Sequence, residues 1–263
     1  MRPAVAKLQI VPRLWIYTNF DCNLQCSYCV ARSSPRAERR GLAYFAFTRL
    51  VDEAADYGIR EVFVTGGEPF LLPDIGKRLS YAAERIPTTV LTNAMLFRGQ
   101  RLETMRALAV LPNLVFQVSL DGPDAATHDA YRGSGAWMKS VEGIRTLLAA
   151  GAAVAIGSTE TPINVSRLDE LRCFVASLGI PEERHFIRPL ARRGFAVEGM
   201  DLGVAELVPE ITASLDGIFW HPLACEDDLL VTRRLFPLAA AMEKLEEMYR
   251  SVLAGGALPR PFR

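Results

Sequence analysis

Six short apolar, strand-like runs, at residues 14–18, 61–65, 88–91, 114–119, 152–157 and 185–188, alternate with stretches of helix-like apolar spacing at 44–57, 75–85, 101–111, 138–150 and 165–178. This alternation limits the possible folds more than any other feature of the chain. Five helical crossovers joining six mostly apolar strands imply a parallel sheet covered on both faces. Gly58, Gly151 and Gly179 each stand just past a helical stretch, where a left-handed cap residue is expected. Six βα units fall short of the eight that close a TIM barrel, so the chain is predicted to be an α/β protein with a partial (β/α)6 barrel. Its site belongs at the carboxyl ends of the strands.

The alternation stops near Gly194. The remaining chain shows one helix-like stretch at 204–214, an irregular 220–228, a short strand-like 229–232 and a last helix at 237–253. Residues 1–193 are therefore read as the barrel domain and 194–263 as a short, mostly helical extension that lids or flanks it.

Half of the 263 residues are apolar, which supplies a real core and excludes a disordered or fibrous chain. Lys plus Arg and Asp plus Glu both number 30, so no net charge draws the protein onto nucleic acid or an anionic membrane. The opening segment carries Arg2, Pro3 and Lys7 without a continuous apolar run and does not read as a secretion signal. The longest nearly apolar stretch, 147–157, is about half of what spans a bilayer. A cytoplasmic protein with no membrane partner is expected.

Three of the five cysteines, Cys22, Cys26 and Cys29, fall on one loop directly after the first strand, at C-x3-C-x2-C spacing. An odd count with this clustering argues for metal or redox chemistry and against a disulfide framework. A structural zinc site needs a fourth ligand that the loop lacks, and ferredoxin patterns have a different spacing. Three thiolates on a four-iron cluster would leave one iron open to substrate.

This loop, with Tyr28 just before the third cysteine, resembles the signature of radical S-adenosylmethionine (radical SAM) enzymes. The resemblance continues in order to about residue 193. It implies a [4Fe-4S] cluster on Cys22, Cys26 and Cys29 that binds S-adenosylmethionine (SAM) and cleaves it reductively to a 5'-deoxyadenosyl radical. Thr65-Gly66-Gly67-Glu68-Pro69 looks like the family's GGEP motif, which implies that the Gly66 and Gly67 backbone and Glu68 hold the SAM amino group. By the same resemblance Asn93, Ser119 and Asp121 touch the ribose and carboxylate. Gly157, with Glu160, partly matches an adenine-contact pattern, and Arg188 suits a carboxylate of SAM or substrate. His128, before the family-like Arg132-Gly133, is read as a surface loop residue outside the site.

The target of such a radical would be a small metabolite, a cofactor precursor or a peptide, and the electron donor a flavodoxin- or ferredoxin-type reductant. A carrier or sensor that keeps the cluster without turnover has no use for Glu68, Ser119 and Asp121. Nucleic-acid modification is disfavoured by the zero net charge. Cys173 is expected in the core of its helix, and the two remaining cysteines cannot build a second all-cysteine cluster. Arg32, Arg36, Arg39, Arg40, Arg192 and Arg193 are solvated loop arginines or a surface for an anionic substrate or acidic redox partner. In 220–228, Cys225 or His221 would face the substrate if that stretch lids the pocket.

Overall fold

The computed structural model describes residues 10–262. Arg2, Pro3 and Lys7 lie outside the described residues. Strands β1 (Arg13–Tyr17), β2 (Glu61–Thr65), β3 (Thr88–Thr92), β4 (Leu114–Ser119), β5 (Ala153–Glu160) and β6 (His185–Pro189) pair in sequence order, every pair parallel. Helices α1 (Tyr44–Tyr57), α2 (Ile75–Ala83), α3 (Gln100–Ala109), α4 (Ala125–Arg132), α5 (Ala136–Ala149) and α6 (Leu168–Ser177) are the crossovers. The sheet is open, as a partial barrel requires.

Strand residues alternate between two environments, because successive side chains leave a strand on opposite faces. Leu14, Ile16, Val62, Val64, Val90, Phe116, Val118, Val154 and Ile156 join one buried cluster with the helices. The intervening residues, including Trp15, Tyr17, Thr65, Leu91, Gln117, Ser119, Gly157 and Arg188, line a cavity inside the barrel. Gly58, Gly151 and Gly179 adopt φ of 93°, 79° and 84°, the left-handed conformation in which a side chain is strained.

The extension differs from its reading in two elements, a missing helix at 204–214 and an added strand at 217–219. The stretch 204–214 does not form a helix: it ends in strand β7 (Thr212–Ser214), which adds to the sheet in parallel beside β1. The hydrogen bond from Trp15 N to Ile211 O, 2.9 Å, shows what overrode the helical spacing, namely the open edge of β1. Strands β8 (Gly217–Phe219) and β9 (Leu230–Thr232) continue the sheet antiparallel, and α7 (Leu238–Ala254) closes the chain. Among the described residues no helix is long and apolar enough to cross a membrane.

Candidate functional site

All three loop cysteines line the barrel cavity of about 260 Å³. The loop is held from below by glycines. A Cβ on Gly67 would sit 2.0 Å from Asp21 O, and one on Gly66, where φ is 147°, would sit 2.4 Å from Asn19 O. Only glycine lets the loop after β2 press against the backbone that leads into the cysteines. Gly67 N–H donates to Asn19 O (2.8 Å) and Glu68 N–H to Asp21 O (2.9 Å), so the carbonyls of these glycines are the backbone groups left to accept from an amine.

The thiols are prepared as acceptors. Leu24 N–H points at Cys22 Sγ and Ser33 N–H at Cys29 Sγ, both at 3.4 Å. Burial pushes the Cys22 thiol up to about 12 and Cys26 up to about 11, so without a cation they stay protonated. Beside them the Ser33 hydroxyl is buried, lines the same cavity and has no hydrogen-bond partner. Among the described residues no three His, Cys, Asp or Glu side chains converge as ligands of one metal ion would. Separate thiols around a common space, with an orphaned donor facing it, suit a multi-iron cluster whose irons each take one thiolate.

Glu68 is fully enclosed. Its carboxylate accepts from Phe70 N–H (3.1 Å), Thr92 Oγ1 (2.8 Å) and Asn93 N–H (2.8 Å). Burial raises its pKa to about 7 against these donors and the Arg101 charge; an ammonium group there would draw it down. Asn93 also lines the cavity; its amide donates to Asn23 Oδ1 at 2.8 Å and lies 3.9 Å from Cys22 Sγ.

Ser119, Gly157 and Arg188 line the same cavity from β4, β5 and β6. A Cβ on Gly157 would lie 2.7 Å from Gln117 Nε2, the flexible end of a side chain that would have to shift. The Arg188 guanidinium stands over the Trp15 ring at 5.8 Å.

Asp121 is placed differently from its expected role. Its carboxylate does not line the cavity; it is enclosed by Arg132 (2.5 Å), Thr159 N–H (2.8 Å) and the Tyr28 hydroxyl. Burial alone would raise its pKa, but the Arg132 charge and these donors hold it below the usual carboxylate range. Tyr28 and Arg132, in contrast, do line the cavity, with Arg132 over the Tyr28 ring at 5.4 Å. Asp121 thus anchors the two groups that face the cysteines.

Three other expectations are corrected. His128 is buried, not a surface residue: it lies on α4 one turn before Arg132, and its Nδ1 accepts from Asp121 N–H at 3.1 Å. Burial drives its pKa down to about 4, so it is neutral. Cys173 is exposed on the outer side of α6, not in the core. Cys225 does not face the barrel cavity; it lines a separate one with Phe20, Arg32 and Arg40. His221 does reach the barrel cavity, together with Pro222, Leu223 and Phe262.

Four of the loop arginines are also not an open anionic site. Arg32 pairs with Glu226 (3.1 Å), Arg40 with Asp216 (2.7 Å), Arg193 with Glu226 and Asp228 (3.1 and 2.7 Å), and Arg192 with Asp201. The residues that sequence reasoning passed over are Arg132, Trp15 and Gln117 in the cavity wall. For Arg132 a signal existed: His128 and Arg132 are spaced i, i+4 on a helix that follows Asp121.

Comparison with known proteins gives the same picture over most of the barrel. A family model, that of the Radical SAM superfamily, matches residues 16–165. An AdoMet-dependent heme synthase of Nitratidesulfovibrio vulgaris is 31% identical over 153 residues, 57% of this chain and 41% of that protein. The mycofactocin maturase MftC of Mycobacterium tuberculosis is 31% identical over 175 residues, 66% of this chain and 44% of that protein. The chain thus spans less than half the length of these curated relatives. In structure it resembles Streptococcus suis SuiB, crystallised with S-adenosylmethionine, at a TM-score of 0.63 and 23% identity over 74% of this chain and 45% of that one.

Proposed function

The chain belongs to the radical SAM superfamily, and from that premise we propose that it is an enzyme whose Cys22, Cys26 and Cys29 hold a [4Fe-4S] cluster beside a SAM pocket. When bound, such a cluster supplies one electron to the SAM sulfonium, giving methionine and a 5'-deoxyadenosyl radical that takes a hydrogen atom from the substrate. The observation that carries this reading is that three thiols from one loop, the Gly66–Glu68 segment and the strand-end residues Asn93, Ser119, Gly157 and Arg188 all line one cavity.

The chain's own part is orientation and exclusion. Glu68, with the Gly66 and Gly67 carbonyls, accepts from the SAM ammonium, a charge-assisted contact stronger than a neutral one. Arg188 offers a cation to a carboxylate, and Asn93 and Ser119 offer partners to ribose hydroxyls. Gly157 keeps the adenine side flat. Asp121 fixes Arg132 and Tyr28 beside the cysteines rather than touching SAM. His221, Pro222 and Phe262 cover the cavity from the tail, keeping water from a reactive intermediate. In this reading residues 1–193 supply the chemistry and 194–263 the cover, in a protein at work in the cytoplasm. The relatives are named for heme synthesis and mycofactocin maturation, which supports a cofactor precursor or a peptide as substrate.

Anaerobic reconstitution tests the reading directly. The chain should take up about four irons, the cubane that cysteine thiolates support, and release 5'-deoxyadenosine when given reductant and SAM. Replacing any of Cys22, Cys26 or Cys29 by Ala should remove the visible cluster absorption, whereas Cys173→Ala and Cys225→Ala should keep it. An intact, reduced cluster that never cleaves SAM would leave an electron carrier or sensor instead.

A further inference from the structure

Cys22 lines two cavities. Besides the barrel cavity it borders an outward-facing groove of about 510 Å³, which contains neither Cys26 nor Cys29. Asn23, Arg39, Arg40, Leu72 and Arg101 form much of its rim. The thiol therefore borders the cluster space on one side and an outer groove on the other.

The charge of this groove is uneven. Arg40 is neutralised by Asp216, and the groove's one carboxylate, Asp21, accepts from the Asn19 amide at 2.9 Å. Arg39 and Arg101 have no acidic partner within ion-pair distance among the described residues, and nor does Arg36 close by in sequence. Arg36 and Arg39 are exposed. On the Cys225 side of the same loop, Arg32 and Arg193 are answered by Glu226. The loop thus spends its arginines on the tail on one side and leaves Arg36 and Arg39 facing water on the other, next to the thiol that borders the outer groove.

We propose that the groove over Cys22 is the docking surface for the electron donor, a one-electron carrier with an acidic surface such as a flavodoxin or ferredoxin. This rests on the cluster reading above. The carrier is oxidised by one electron and the group held by Cys22, Cys26 and Cys29 is reduced by one. No bond forms or breaks at the surface. Positive potential around the entry point raises the encounter rate with an acidic partner and does so less as salt screens it.

The test mixes the reconstituted full chain with a reduced acidic flavodoxin and follows bleaching of the cluster absorption, alongside calorimetric affinity for oxidised flavodoxin. Arg39→Glu should slow bleaching by about tenfold at low ionic strength, weaken binding by a similar factor and flatten the salt dependence, within the range that steering supplies. Arg60→Glu makes the same charge change just before β2, at the opposite end of the barrel, and should behave as the wild type. A small uncharged photoreductant such as a deazaflavin should reduce all three proteins equally. Equal rates for Arg39→Glu and the wild type with flavodoxin would overturn the proposal, as would an equal loss in Arg60→Glu or a loss that extends to the photoreductant. A chain that takes up no iron would overturn both this surface and the cluster reading.

Discussion

Strands β1 to β6 and strands β7 to β9 belong to one sheet but are made in different ways. The first six are five to eight residues long, and each of the first five is followed by a helical crossover. The last three have three residues each and lean on neighbours: β7 on the edge of β1, β8 and β9 on one another. A five-residue strand declares itself through two full periods of alternation, whereas a three-residue strand exists because an unpaired edge is waiting for it. The barrel half also buries charges in closed sets, such as Asp121 with Arg132 and Tyr28, whereas ion pairs that join the tail to it, such as Arg40 with Asp216, are partly exposed.

Substitutions can break this contrast or sharpen it. The largest effect is expected from Gly67→Ala, since the added Cβ meets backbone oxygen and neither loop can give way cheaply. The cysteine loop should lose its support, and iron uptake should fall from about four per chain to a small fraction of that. By contrast Gly58→Ala, where nothing lies within 4 Å and only the positive φ opposes it, should cost about 1 kcal/mol and leave iron unchanged.

Next comes Asp121→Ala, which strands the Arg132 guanidinium in the interior. Denaturant titration should show a loss of about 3–5 kcal/mol, the cost of an unpaired buried charge.

Acid should act on both halves. His128, His185 and His221 are the chain's three histidines, and burial holds their pKa values down at about 4, 4 and 3. The unfolded chain takes up protons near pH 6.5 that the folded chain refuses, so this stability is complete above about pH 6.5 and is lost as the pH falls toward 4. Glu68, raised to about 7, works in the opposite sense and offsets about one of the three. Thermal unfolding should show a net decline of a few kcal/mol between pH 6.5 and 4.5, with the half-exposed His185 contributing least. His221→Gln should remove the tail's share and leave the decline due to His128.

The smallest effect belongs to Arg40→Ala, at most about 1 kcal/mol, because both ends of that pair are partly solvated. A loss as large as that of Asp121→Ala would erase the distinction between the halves.

The same contrast explains what could be read from sequence. All six barrel strands and the cap glycines were legible because each expresses a local rule, a period or a backbone conformation. The cysteine loop and the Gly66-Gly67 pair were legible through spacing. The partner of those glycines was not: their expected role concerned a ligand, yet the closest contact is the Asn19–Asp21 backbone, 45 or more residues earlier in the chain. Asp121 was misplaced for a related reason. Whether a polar side chain at a strand end points at the cavity or at a neighbour depends on what the neighbour offers, and the one-dimensional pattern is the same in both cases.

Because β7 sits in parallel against β1, the extension also shields the most apolar edge of the sheet. Trp15, Ile16 and Tyr17 would otherwise offer a row of unanswered amides and carbonyls at a hydrophobic rim, the template that other chains extend into aggregates. Trp15 Nε1 on Glu210 and the Tyr17 hydroxyl on Pro222 O pin that shield in place. The tail in this sense guards the barrel against edge-to-edge association, and a shortened chain ending near residue 193 should aggregate more readily than the full chain.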